Sequence, residues 1–71
     1  MTTEELKIKL FELDVPHYFY SIGEEKDRYT CLVEEGGRWL VFYCEGGEHH
    51  DAEEYYSESD ACDDLLKRVS G

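Results

Sequence analysis

The sequence predicts an α+β fold in which a three- to four-stranded antiparallel sheet is flanked by an N-terminal and a C-terminal helix. Three observations support this prediction: helical periodicity near each end, strand-like runs between the ends, and glycine pairs that suit hairpin turns. Strands in one block between two helices are typical of helices packed on one face of a sheet. A chain of 71 residues corresponds to a single domain, residues 1–71, with a small core.

The N-terminal segment predicts a helix over residues 3–14. Thr2 and Glu5 match the capping box, in which each side chain accepts a hydrogen bond from the backbone of the other. Leu6, Leu10 and Leu13 follow at spacings of four and three, so they share one face.

The middle of the chain predicts three strands and a short fourth one. The runs "HYFYSI" and "RYTCLVEE" flank a turn-type cluster, and Gly36-Gly37 suits a two-residue hairpin turn before a third strand at 38–45. Residues 46–51 are expected to form a loop, and residues 52–56 a short edge strand.

The last segment predicts a helix from about Ser57 onward. Ser57 or Ser59 can act as its N-cap. An apolar stripe follows at helical spacing, formed by Cys62, Leu65, Leu66 and Val69.

Both faces of the central hairpin are apolar. If Gly36-Gly37 is a two-residue turn, residues whose numbers sum to 73 lie opposite each other, so Leu40 and Phe42 share one face while Trp39 and Val41 share the other. Helices on one side leave the other face uncovered, and Leu40 and Phe42 are then candidates for an apolar interface, for example in a homodimer. Alternatively, the helices lie on opposite faces, or tyrosines and loop residues cover the second face.

The charge balance is strongly acidic. Eighteen acidic and seven basic residues give a formal net charge of −11, which disfavours binding to nucleic acid or to an anionic membrane and favours a basic protein partner. No Lys or Arg occurs from residue 39 to residue 66. A solvated face is the simplest account of such a tract, but interleaved tyrosines suit a contact surface. The candidate partner-binding residues are Glu45, Glu48, Asp51, Glu53, Glu54, Tyr55 and Tyr56.

No motif points to catalysis, a cofactor or a metal. His49 and His50 are adjacent in the expected loop but lack metal-ligand spacing, and no nucleophile elbow or phosphate-binding glycine motif occurs. Three isolated cysteines and the absence of a leader pattern or a long apolar run predict a cytoplasmic protein with reduced thiols.

The stretches "RYTCLVEEGGRWLVFYCEGG" and "YYSESDACDDLLK" resemble small bacterial immunity proteins of polymorphic toxin systems. The resemblance covers roughly residues 28–67, and its motif residues are Trp39, Val41, Tyr43, Ser57, Ala61 and Cys62. It implies a small, non-catalytic α+β protein that binds and blocks a cognate toxin. The alternative expectation is a small homodimeric regulatory or phage-type protein whose second sheet face is its dimer interface.

Overall fold

Two helices cover one face of a four-stranded sheet in this chain, whose computed structural model describes residues 1–70. The elements run α1 (Thr3–Glu12), a 3-10 turn (His17–Phe19), β1 (Tyr20–Ile22), β2 (Thr30–Glu35), β3 (Arg38–Glu45), β4 (Glu48–Tyr55) and α2 (Glu58–Ser70). The strands lie in the order β1-β2-β3-β4. The predicted α+β architecture with a helix at each end is confirmed.

The helix starts follow the sequence signals. The Glu5 N–H donates to Thr2 Oγ1 (3.2 Å) and the Thr2 N–H donates to Glu5 Oε1 (2.8 Å), which completes the capping box. At α2 the Ser57 hydroxyl accepts from the Asp60 N–H at 3.3 Å. α1 ends two residues earlier than predicted, because Asp14 adopts a left-handed conformation with φ of 57° and the chain turns there.

The main core lies between the helices and the sheet. Its fully buried residues come from α1, α2 and the two central strands: Leu6, Leu10, Leu32, Val41, Ala61, Cys62 and Leu65. Leu13 does not join the face of Leu6 and Leu10 and is 48% exposed, which corrects the expected helix face. Leu66 and Val69 pack at the margin of the core.

The central hairpin has the predicted register. Cys31 lies opposite Phe42 and Leu32 opposite Val41, with Gly36 and Gly37 at φ of 60° and 80° in the turn. The sheet is nevertheless mixed, because β1 pairs with β2 in parallel, with Ser21 opposite Cys31. A parallel neighbour requires the chain to return to its starting end, and residues 23–29, here called the crossing loop, make that return.

The expected loop at residues 46–51 is instead a second hairpin. Gly46 and Gly47 repeat the backbone of the first turn, with φ of 61° and 81°, and Glu45 lies opposite Glu48. β4 therefore begins at Glu48 and includes both His49 and His50, which corrects their placement in a loop. The strand has no buried face, so it lacks the apolar alternation that identifies strands in a sequence.

The second sheet face is closed by the chain itself. Cys31, Phe42 and Cys44 form a buried cluster there, with Val33 and Leu40 half-buried at its border. The crossing loop packs over this cluster: the Lys26 N–H approaches Cys31 Sγ at 3.5 Å, and the Cys44 thiol approaches Glu25 Oε2 at 3.6 Å. Asp27 ties the loop to the second hairpin by accepting the Gly46 N–H at 2.7 Å. Of the alternatives left open by the sequence, coverage by loop residues is the one observed.

Candidate partner-binding surface

β4 is an edge strand whose residues are exposed from Glu48 to Glu54. Four of the predicted acids lie on this strand and the fifth, Glu45, is the last residue of β3; together they are called the acidic edge below. The acidic edge consists of Glu45, Glu48, Asp51, Glu53 and Glu54. These carboxylates are therefore gathered along the edge strand and at the tip of the hairpin that β3 and β4 form.

One member of the acidic edge is neutralised by a cross-strand ion pair. Arg38 Nη1 lies 3.1 and 3.0 Å from the two carboxylate oxygens of Glu54. The hydrogen bond to Glu54 is the main reason that the pKa of Arg38 is raised. Glu54 therefore brings little unbalanced charge to the surface.

The other four carboxylates have no ion pair with any residue that the structure describes. Among residues 1–70, no Lys, Arg or His side-chain nitrogen lies within 4.0 Å of the carboxylates of Glu45, Glu48, Asp51 or Glu53. Glu45 and Glu48 also lie directly opposite each other, an arrangement in which like charges repel. These four carboxylates are thus fully available to an external cation.

The two tyrosines at the end of β4 have different environments. Tyr56 is 80% exposed. Tyr55 is half-buried against the core, and its hydroxyl donates to Asp64 Oδ2 of α2 at 2.6 Å. This hydrogen bond, followed by burial, raises the pKa of Tyr55 to about 12. Tyr56 is therefore the exposed aromatic group of the surface, whereas Tyr55 fastens β4 to α2.

Asp64 accepts all of the hydrogen bonds that connect Tyr55, Asp64 and Arg68. Arg68 donates to it through Nε (2.9 Å) and Nη2 (3.2 Å), in addition to the bond from Tyr55. Burial alone would raise the pKa of Asp64, but the hydrogen bonds from Arg68 and Tyr55 outweigh burial and lower it. Asp64 thus serves the fold and is not part of the exposed acidic surface.

A bulge at Asp51 sets the direction of the side chains along β4. Asp51 has a φ of 54°, and the pairing register shifts between Val41 and Tyr43. On the near side of the bulge, His49 stacks on Phe42, with ring centroids 3.8 Å apart, while His50 faces Tyr43 at 6.4 Å. The adjacent histidines therefore serve opposite faces. No group of three or more His, Cys, Asp or Glu residues within 1–70 is arranged to hold a metal ion.

The predicted apolar pair, Leu40 and Phe42, does not form an open surface. Phe42 has 0% exposure and carries the stacked ring of His49, and Leu40 is half-buried beside the ion pair of Arg38 and Glu54. The sequence left cover by loop residues open as an alternative, but it did not identify the crossing loop as the cover, because this loop is polar and contacts the cluster through hydrogen bonds to its thiols.

The three thiols are free and buried. Burial is the main reason that the pKa of each thiol is raised, and the neighbouring Glu25 adds to the effect at Cys44. A raised pKa keeps a thiol neutral and weakly nucleophilic at neutral pH.

Comparison with known proteins found no family model, no curated protein and no solved structure that matches this chain. Among residues 1–70, neither helix has the length and apolar character needed to cross a membrane.

Proposed function

We propose that this chain is a non-catalytic acidic inhibitor that neutralises a basic protein partner, such as a bacterial toxin, through the acidic edge and Tyr56. The observation that carries the proposal is the set of four exposed carboxylates on the hairpin of β3 and β4 that have no ion pair within residues 1–70. Such a one-signed field accelerates encounter with an oppositely charged surface.

The electrostatic repulsion within the acidic edge destabilises the free protein, and this supports a role of the acidic edge in binding. Glu45 and Glu48 repel each other across the hairpin, and the segment 39–66 contains no Lys or Arg to offset the repulsion. A basic partner would relieve this repulsion on binding, so part of the interaction free energy would come from strain already present in the free protein. Tyr56 adds the aromatic contact area that interfaces favour.

The edge position favours a different protein over a second copy. Exposed edge strands attract other strands, and charged side chains are a common protection against self-pairing. Two copies joined along β4 would place acidic side chains against acidic side chains, whereas a basic segment would meet opposite charge. The dimer through Leu40 and Phe42 gains no support, because Phe42 is already buried within one chain.

The proposal is tested by charge reversal with a matched control. Glu48→Lys with Glu53→Lys changes the acidic edge, while Glu12→Lys with Glu24→Lys makes the same change of net charge at exposed positions elsewhere. Proteins captured from a bacterial lysate on the wild-type chain and on the control variant, but not on the edge variant, are the expected partners. A captured protein should then lose its own activity when mixed with the wild-type chain. Equal capture on all three would reduce the acidic edge to a solvated face.

A further inference from the structure

A second surface of the chain carries basic side chains, in contrast to the acidic edge. An open cleft of about 260 Å³ lies between the end of α2, the 3-10 turn, the end of the crossing loop, the first residue of β2 and Tyr43 of β3. Its walls carry aromatic, hydroxyl and guanidinium groups, from Tyr18, Phe19, Arg28, Thr30, Tyr43 and Arg68. The chain has three arginines in all, and two of them line this one cleft.

Arg68 presents a fixed guanidinium to the cleft. Its Nε and Nη2 donate to Asp64, which holds the planar group in one orientation, and its side chain is only 21% exposed. Within residues 1–70 no hydrogen bond from Nη1 of Arg68 is formed. The cleft therefore contains a positioned donor whose hydrogen-bonding capacity is not fully used.

Arg28 is held in a backbone conformation that its side chain does not favour. Its φ is 68°, in the left-handed region. The other non-glycine residues at positive φ are Asp14 and Asp51, and aspartate tolerates this region better than most residues. The backbone reason for the turn is the Arg28 N–H, which donates to the Cys44 carbonyl at 2.6 Å, but glycine would make the same bond without strain.

The Arg28 side chain is also open for a ligand. Its nearest carboxylate, Asp27, lies 3.9 Å from Nε, beyond hydrogen-bond distance, and the side chain is 80% exposed. An arginine at a strained position with open donors beside a cleft points to a role of the side chain in that cleft.

The rim of the cleft is aromatic. Tyr18 and Phe19 are 63% and 46% exposed, and their rings meet edge to face with centroids 5.1 Å apart. Exposed aromatic groups beside convergent polar groups are typical of small-molecule sites.

We propose that this cleft binds a small organic carboxylate with an aromatic body. Arg28 and the open Nη1 of Arg68 hold the carboxylate, and the ring packs on Tyr18 and Phe19. A singly charged anion fits better than a phosphate dianion, because Asp27 and Asp64 already lie beside the two guanidinium groups. The volume of the cleft, about 260 Å³, suits a ligand of roughly one ring and a short acid chain.

The test uses the full chain and a matched pair of probes. 3-Phenylpropionate carries the required charge, and 3-phenylpropionamide has nearly the same shape without it. We expect saturable shifts of the Thr30 and Tyr43 amide signals with the acid and none with the amide. Because the net charge of −11 repels an anion at long range, added salt should leave this binding unchanged or strengthen it. Added salt should instead weaken the binding of a basic partner to the acidic edge. The two proposals therefore predict different responses to salt, and either one can fail while the other holds.

Variants at Arg28 separate its binding role from its fold role. Arg28→Gly should raise the thermal midpoint by relieving the left-handed strain, and it should weaken binding of the acid about tenfold or more, as expected for a lost charge-assisted hydrogen bond. Asp14→Gly relieves φ at a distant site and should leave binding unchanged. Arg28→Gln should weaken binding with little change of midpoint. Equal binding of acid and amide, or full binding by Arg28→Gln, would overturn the proposal.

Discussion

The imidazole of His49 lies flat on the ring of Phe42, with centroids 3.8 Å apart and ring planes 16° from parallel. Its Nε2 is 2.9 Å from Glu25 Oε1. One side chain therefore both covers Phe42 of the buried cluster on the second sheet face and contacts the crossing loop. His49 thus has a structural role that its neighbour in the sequence, His50, does not share.

Replacing the two histidines should therefore have unequal effects. His49→Ala removes the stacked cover of Phe42 and should lower the free energy of unfolding by about 1 kcal/mol. His50→Ala, on the opposite face and exposed, should change it by less than about 0.5 kcal/mol. Urea unfolding of both variants measures the difference, and equal losses would contradict the role assigned to His49.

The docking of α2 rests on Leu65 more than on Leu66. Leu65 has 0% exposure in the main core, whereas Leu66 is half-buried at its margin. Leu65→Ala should cost about 2–5 kcal/mol, and Leu66→Ala clearly less. Thermal denaturation followed by circular dichroism compares the two, and a larger loss at Leu66 would mean that α2 packs with another face.

The bond between Tyr55 and Asp64 should give an alkaline pH dependence. The folded pKa of Tyr55 is about 12 and its ordinary value is 10, so the contribution to stability is complete below pH 10 and disappears as the pH rises toward 12. Tyr55→Phe should cost about 1 kcal/mol at neutral pH, and its difference from wild type should vanish over that interval. Urea titrations of both proteins between pH 8 and 12 test this, and a pH-independent difference would contradict it.

The hydrogen bonds that Asp64 accepts from Tyr55 and Arg68 also predict how stability falls at acid pH, here called the acid limb of the stability curve. The pKa of Asp64 is lowered from its ordinary value of 3.8, so its contribution is present above that value and is lost as the pH falls through the folded pKa. Asp64→Asn should therefore flatten the acid limb of the stability curve relative to wild type. An unchanged acid limb would show that Asp64 does not titrate with the fold.

Two charge reversals of equal net change should act in opposite directions on stability. Glu48→Lys replaces a repulsive pair with Glu45 by an attractive one and should raise stability by about a few tenths of a kcal/mol. Glu54→Lys breaks the ion pair with Arg38 and should lower the thermal midpoint. Both effects should shrink in high salt. Shifts of the same sign would mean that net charge, and not pairing, determines stability here.

Local signals in the sequence predicted a large part of the fold. The capping box of Thr2 and Glu5, the register around Gly36-Gly37 and the α2 stripe all depend on residues near each other in the chain. The second hairpin was missed although Gly46-Gly47 repeats the first turn, because an edge strand without a buried face shows no apolar alternation. The parallel pairing of β1 and the loop contacts to Cys31 and Cys44 depend on the path of the crossing loop, which has no periodic pattern.

For the candidate surface, composition predicted the acids but not their partners. Glu54 is paired with Arg38, 16 positions away in the chain, and Tyr55 is hydrogen-bonded to Asp64, 9 positions away. No spacing rule in a single sequence indicates these pairs. The structure thus narrows the predicted partner-binding set to residues with free charge or exposed aromatic area: Glu45, Glu48, Asp51, Glu53 and Tyr56.

We propose that the acidic edge steers a basic protein onto this chain. The most direct measurement is the association rate of a purified captured partner as ionic strength rises, for the wild-type chain, Glu48→Lys with Glu53→Lys, and the control Glu12→Lys with Glu24→Lys. Steering predicts fast association that slows steeply with salt for the wild type and the control, and slow, nearly salt-independent association for the edge variant. Association rates that are the same for all three proteins and indifferent to salt would contradict the claim.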